Sequence, residues 1–194
     1  MTAPKPWRIA ITDPQLPSPQ SWLQAAAALV QSGNLPWLHL RAKTLSHPQR
    51  LHAAQVLAPL CRTHHTGLII NGDLDIAIAV GADALHLPSQ APAIERPPQL
   101  RHLMRACHSL EDIHNAASQS ADLVTLSPVF PPNSKQDHRP TLGLDGLRRI
   151  AQRSPLPIIA LGGITQDNAQ ACVEAGAVGT AAIGWFFGGG GKVV

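Results

Sequence analysis

Three side chains at alternate positions, His39, Arg41 and Lys43, close the apolar run Trp37-Leu-His39-Leu-Arg41. If that run is extended, a period of two sends all three to one side and makes a cation-lined edge suited to a phosphate. Lys135, in Pro131-Pro132-Asn133-Ser134-Lys135, is a further candidate cation. Glycines supply the complementary chemistry. The segment Ala160-Leu-Gly162-Gly163-Ile-Thr165 places two residues without a Cβ between an apolar run and a helix start. Backbone N–H groups there can approach an anion closely, aided by the helix N-terminus. Ala182-Ile183-Gly184 repeats the arrangement one run later.

Asn71, His86 and His108 lie at or near the ends of other apolar runs, and each can hydrogen-bond a ligand. A neutral imidazole, with an ordinary pKa of about 6.5, can also carry a proton in either direction. The same histidines serve equally well as structural side chains, and the sequence does not say which way a ring faces. Ten histidines invite a metal reading, but no H-x-x-x-H or H-E-x-x-H spacing occurs, so zinc is not indicated. Cys61, Cys107 and Cys172 are far apart and odd in number, which predicts buried free thiols.

These candidates are positioned by eight strand-like runs: Arg8–Thr12, Trp37–Arg41, Leu68–Asn71, Ala84–Leu87, Met104–His108, Leu123–Ser127, Pro157–Leu161 and Gly179–Ile183. Helical periodicity lies between them. Trp22, Leu23, Ala26, Leu29 and Val30 mark one face, and Leu51, Ala54, Leu57, Leu60 and Cys61 mark another. Asp73 is placed to cap a short helix ended by Gly81, Ser109 and Asp112 form a capping box, and Thr165 caps a helix starting at Gln166. Leu144, Leu147 and Ile150 recur at helical spacing.

Alternating strands and helices predict a parallel α/β fold. A doubly wound dinucleotide fold wants its glycines after the first strand; here they cluster after the seventh and eighth, where a (β/α)8 TIM barrel commonly holds phosphate. The expectation is one barrel domain over residues 1–187, with a Gly-rich tail at 188–194. Only Trp185-Phe186-Phe187 remains to start an eighth helix, so that helix is truncated or missing. The apolar surface between the last and first strands then needs cover from a second copy, as a homo-oligomer, or by docking to another domain.

The 194 residues suit a single domain, and 44% hydrophobic against 14% charged residues excludes wholesale disorder. A net charge of +3 from scattered basic residues does not indicate nucleic acid. No apolar run has the length of a membrane span, and the first residues lack a signal-peptide pattern; the expected location is the cytoplasm.

Taken together, the segments resemble the thiamin phosphate synthase / TenI family of small barrels. The family's Q-x-R-x-K corresponds to His39-Leu-Arg41-Ala-Lys43, and its I-N-D-x-x-D-x-A to Ile70-Asn71-Gly72-Asp73-Leu-Asp75-Ile-Ala77. Its G-A-D-G-x-H-L-G matches Gly81 through Pro88, S-x-H-S matches Ala106-Cys-His108-Ser109, and the strand-six G-P-V-F-x-T-x-T-K matches Ser127 through Lys135. The closing A-x-G-G-I is Ala160–Ile164, and E-A-G-A-x-G is Glu174–Gly179.

The resemblance implies a phosphorylated thiazole as ligand, bound by His39, Arg41, Lys43, Asn71, Ser134, Lys135, Gly162, Gly163, Ile183 and Gly184. It also implies two alternative activities. The synthase joins the thiazole to a pyrimidine diphosphate with Mg²⁺, but here Gly72 and Ala91 stand where the family has its metal-binding carboxylates. Ala106 and Pro132 likewise replace a serine and a threonine of the substrate site. The TenI branch shares Asn71-Gly72 and tautomerises the thiazole phosphate without metal, although Pro128 replaces its catalytic histidine. The expectation is therefore a metal-independent isomerase with no cofactor, Mg²⁺ entering only if synthase activity is retained, and with His108, His86 and Lys43 as candidate catalytic groups. His39 is a further possible base. A synthase, or a non-catalytic thiazole-phosphate-binding or partner module, is the alternative; the same departures resemble the synthase-like domains attached to Nudix hydrolases.

Overall fold

The computed structural model describes residues 6–12, 18–131 and 139–187. Ser134, Lys135 and the segment from Gly188 to Val194 lie outside the described residues. Eight parallel strands pair in chain order and close into a barrel. They are β1 (Trp7–Ile11), β2 (Trp37–Leu40), β3 (Gly67–Asn71), β4 (Ala84–Leu87), β5 (His102–Cys107), β6 (Leu123–Leu126), β7 (Ile158–Leu161) and β8 (Gly179–Ala182). Ile9 of β1 is registered with Trp37 of β2 on one side and Ala181 of β8 on the other, which completes the ring. This is the TIM-barrel architecture that the order of runs implies. Several strands stop one residue earlier than periodicity suggests, so Arg41, His108, Ser127 and Ile183 are the first residues beyond their strands rather than the last within them.

Alternation fills the barrel interior with Ile9, Ile11, Ile69, Ala84, Met104, Leu123, Ile159 and Ala181, all buried. At the floor, Trp7 and Trp37 stack at 4.3 Å between centroids, and His102 meets both rings edge-on. Glycine makes room for them: a Cβ on Gly67 would lie 2.2 Å from the Trp37 ring, and one on Gly179 would lie 2.4 Å from the Trp7 Cβ. The floor is therefore a packed plug, and the opposite end, the mouth, is where the strands run into their following loops.

The helices are α1 (Pro19–Gln31), α2 (His47–Thr63), α3 (Leu74–Val80), α4 (Leu110–Ser118), α5 (Gly143–Ala151), α6 (Gln166–Glu174) and α7 (Gly184–Phe187). Local chemistry starts them. Ser18 accepts from the Ser21 N–H ahead of a proline at the first position of α1, and Ser109 and Asp112 exchange bonds at 3.1 Å as a capping box for α4. α1 to α3 cover β1 to β3 through Trp22, Leu57 and Ile76, and α4 to α6 bury Ile113, Leu147 and Cys172 against the next strands. Each such side chain contributes about 1.5–3 kcal/mol when fully buried.

Among the described residues, two strands lack this cover. No helix connects β4 to β5; the loop is pinned by Arg105, buried on the outer side of β5, which donates to the Ala91 and Pro92 carbonyls at 2.8 and 2.6 Å. After β8, α7 comprises four residues. No helix among the described residues is long and apolar enough to cross a membrane.

Candidate functional site

The alternation of His39, Arg41 and Lys43 predicts three cations on one edge, and the structure separates them by depth. His39, still within β2, is buried in the barrel; Arg41 is half-buried at the mouth; Lys43 is exposed in the following loop. The period of two ends with the strand, which is the physical reason. Arg41 is held by a residue that pattern reasoning passes over. Thr12, fully buried just after β1, accepts from the Arg41 N–H at 2.9 Å and donates to the Arg41 carbonyl at 2.8 Å. A hydroxyl bridging both backbone groups fixes where the guanidinium side chain starts.

His39 and His86 meet inside the barrel, ring centroids 4.8 Å apart. Neither reaches the rim: both are buried, and His86 Nε2 is bonded to the buried Thr125 hydroxyl at 2.9 Å. Asn71 is registered beside His86 and supplies a side-chain hydrogen bond to His39. Burial, then the neighbouring His86 and Arg41, holds the His39 pKa well below its usual value; burial followed by Arg41 pushes His86 down to about 4. Both rings are therefore neutral at physiological pH. His39 Nε2 and His86 Nδ1 have no hydrogen-bond partner among the described residues.

His108 is the histidine that reaches the mouth. Half-buried just beyond β5, it has Nδ1 2.7 Å from the Ser127 carbonyl. A carbonyl only accepts, so this contact suits a protonated Nδ1, while Arg139 Nη1, which only donates, lies 2.6 Å from Nδ1 and 2.7 Å from Nε2 and suits a lone pair on either nitrogen. The capping box of α4 fixes the backbone beneath, since Asp112 Oδ2 also accepts from the His108 N–H at 2.7 Å.

Across the mouth, Gly162 and Gly163 have φ of +96° and +61°. Their turn spends its carbonyls within the protein: Val129 N–H on Leu161, Phe130 N–H on Gly162 and the Asn168 side chain on Gly163, at 2.9, 3.0 and 2.9 Å. The N–H groups of Gly162, Gly163, Ile183 and Gly184 donate to no described residue. Four amides at the ends of adjacent strands are thus left for an acceptor. The same glycines are also demanded by packing, because a Cβ on Gly163 would lie 2.6 Å from the Pro131 carbonyl oxygen. A Gly163→Val variant would disturb that loop as well as any anion, so it does not isolate phosphate binding.

The residues present do not fit the Mg²⁺ that the resemblance associates with synthase chemistry. Gly72 carries no donor side chain, and Ala91 offers only a carbonyl already used by Arg105. Asp73 is expected to cap α3, but its side chain makes no capping bond. Instead Arg50 takes both of its oxygens, Nε to Oδ2 at 2.7 Å and Nη2 to Oδ1 at 2.9 Å. The fold does bring His47, Asp73 and Asp75 within 4.8 Å, a cluster no sequence spacing reveals. His47 there is bonded to Asp75 at 2.7 Å, so its donors are committed to one another. Cys61, Cys107 and Cys172 are buried free thiols, with pKa values pushed by burial to about 12, 12 and 11, and take no part in nucleophilic chemistry at neutral pH.

Known proteins with this arrangement agree in kind. The family profile described as thiamine monophosphate synthase (TMP-TENI) matches residues 9–185. A putative thiamine-phosphate synthase 2 of Aquifex aeolicus is 32% identical over 170 residues, 86% of this chain and 90% of that one. The thiamine-phosphate synthase of Chlorobium phaeobacteroides is 32% identical over 190 residues, covering 94% and 89%. The solved thiamine phosphate pyrophosphorylase of Pyrococcus furiosus superposes with a TM-score of 0.78 at 25% identity, over 95% of this chain and 88% of that one. With that profile spanning residues 9–185 and relatives 32% identical over most of its length, the chain belongs to the thiamin phosphate synthase / TenI family.

Proposed function

We propose that this protein binds a phosphorylated thiazole at the open end of the barrel and moves a proton on the bound ring without a divalent ion. The observation that carries the binding is the set of N–H groups on Gly162, Gly163, Ile183 and Gly184, which donate to no described residue while the neighbouring carbonyls are used. A phosphate seated there faces Arg41 and Lys43 from the far rim, and Ser134 and Lys135 are the further polar groups that family resemblance assigns to it. His108 is the proton carrier. With its Nδ1–H donated to the Ser127 carbonyl, its Nε2 accepts a proton from the thiazole and returns one to another position of that ring. Arg139 has to leave the imidazole for this, and the ligand's phosphate gives it an anionic partner.

A second reading, condensation of the thiazole phosphate with a pyrimidine diphosphate, is favoured by the names of the relatives at 32% identity. Both are tested in one assay series. The protein is incubated with the thiazole phosphate tautomer in D2O and excess chelator, and separately with thiazole phosphate plus pyrimidine diphosphate, with and without Mg²⁺. The proposal expects deuterium incorporation and isomerisation in chelator, reduced at least about 100-fold in His108→Ala, with ligand affinity retained. Thiamin phosphate formed only with Mg²⁺ establishes the second reading instead, and saturable binding with neither reaction leaves a non-catalytic binding module.

A further inference from the structure

Arg105 carries a charge that no described residue neutralises. It is 2% exposed on the outer side of β5, its two Nη atoms donate to the Ala91 and Pro92 carbonyls, and no ion pair reaches it among the described residues. Its Nε–H is buried and has no hydrogen-bond partner among those residues. A guanidinium keeps its proton throughout the physiological range, so its burial leaves a full positive charge in want of an anion. Beside it lies a cavity of about 100 Å³, between β5, the loop after β4 and α4. Asp112, Asn115 and Gln119 line it from the helix and its cap, Cys107 from the strand and Ser89 from the loop. Gln119 Oε1 is a second buried atom there without a partner among the described residues.

We infer that this cavity binds a small hydroxyl-bearing oxyanion, hydrogen carbonate or hydrogen phosphate, with an oxygen on Arg105 Nε and a hydroxyl on Gln119 Oε1. The volume is that of about three waters in the liquid, enough for one such ion. Water alone would satisfy the hydrogen bonds but bring no countercharge. Asp112 does not supply it either: its Oδ2 accepts from the His108 and Ser109 N–H groups at 2.7 and 3.1 Å, at the start of α4. That carboxylate and the Gln119 oxygen can only accept. An ion without a proton to donate, such as acetate or nitrate, would set acceptor against acceptor. The bound ion would tie α4 to the loop that Arg105 already holds, in the part of the barrel where no helix joins β4 to β5. The cavity lies outside the ring of strands, so its ligand is independent of a thiazole phosphate at the mouth.

The test is hydrogen exchange of the full chain, resolved by mass spectrometry, during titration with hydrogen carbonate, phosphate, acetate or nitrate at constant ionic strength. Hydrogen carbonate or phosphate should give saturable protection of the loop after β4 and of α4, and whichever saturates at the lower concentration identifies the ion. Acetate and nitrate should act at least about tenfold more weakly. Arg105→Met should abolish the protection, and Gln119→Leu, at a half-buried helix end, should weaken affinity at least about tenfold. Circular dichroism checks that both variants fold. Equal protection by all four ions, or affinity unchanged in a folded Gln119→Leu protein, would overturn the inference, as would the absence of any protection at these two segments, which is the result for a cavity holding water. Phosphate protection confined to the loops after β7 and β8 would overturn it too, while supporting anion binding at the mouth.

Discussion

His39 and His86 occupy positions where a buried ring must be neutral, and that has a consequence for stability. Burial lowers the folded-state pKa of both, His86 from 6.5 to about 4. The unfolded chain therefore binds more protons than the folded one below about pH 6.5, and stability is complete above that value. It falls as pH drops toward 4, by about 1.4 kcal/mol per unit for each ring that stays neutral while its unfolded counterpart is charged. Thermal unfolding between pH 7.5 and 5 should show this loss, and His39→Gln with His86→Asn should flatten it. An equally steep acid loss in the double variant would assign the effect to other groups. The residue types here were visible in the sequence, but their pairing was not: His39 and His86 are 47 positions apart, and only barrel closure sets their rings 4.8 Å from each other. Thr12 was equally silent, because a hydroxyl after a strand carries no signal of the backbone it will clamp.

At the scale of elements, the floor of the barrel depends on size matching between adjacent strands. Gly67 of β3 exists to admit Trp37 of β2, whose ring would overlap any Cβ there. Gly67→Ala should destabilise the barrel by about 1–3 kcal/mol, the usual cost of overpacking. Combining it with Trp37→Leu should cost less than the sum of the two single variants, and urea denaturation of all four proteins measures the difference. Strictly additive losses would mean that the stack moves aside freely. The strands themselves were legible to within a residue or two because continuous apolar runs between helical patterns leave few alternatives. The β4–β5 connection was not, since Arg105 reads as a strand-surface cation until the fold turns it outward beneath a loop.

For the molecule as a whole, uneven covering of the barrel predicts uneven protection. Amides of β8 and α7 should exchange with solvent faster than those of β3, which lies beneath α2 and α3. Hydrogen exchange resolved by mass spectrometry reads the difference. Uniform protection around the ring would show that the β8–β1 seam is as firmly held as the rest.

The amino-acid order by itself determined the closed parallel barrel, the buried thiols and the family, because periodicity and the placement of glycines are local properties that survive without coordinates. The tertiary structure alone decided which candidates work together. It buried His39 and His86 inside the barrel, left His108 half-buried beside the Ser127 carbonyl, and gave Asp73 to Arg50 instead of a helix cap. Those outcomes depend on distances between strands far apart in the chain and on where each strand happens to stop, neither of which a one-dimensional pattern contains.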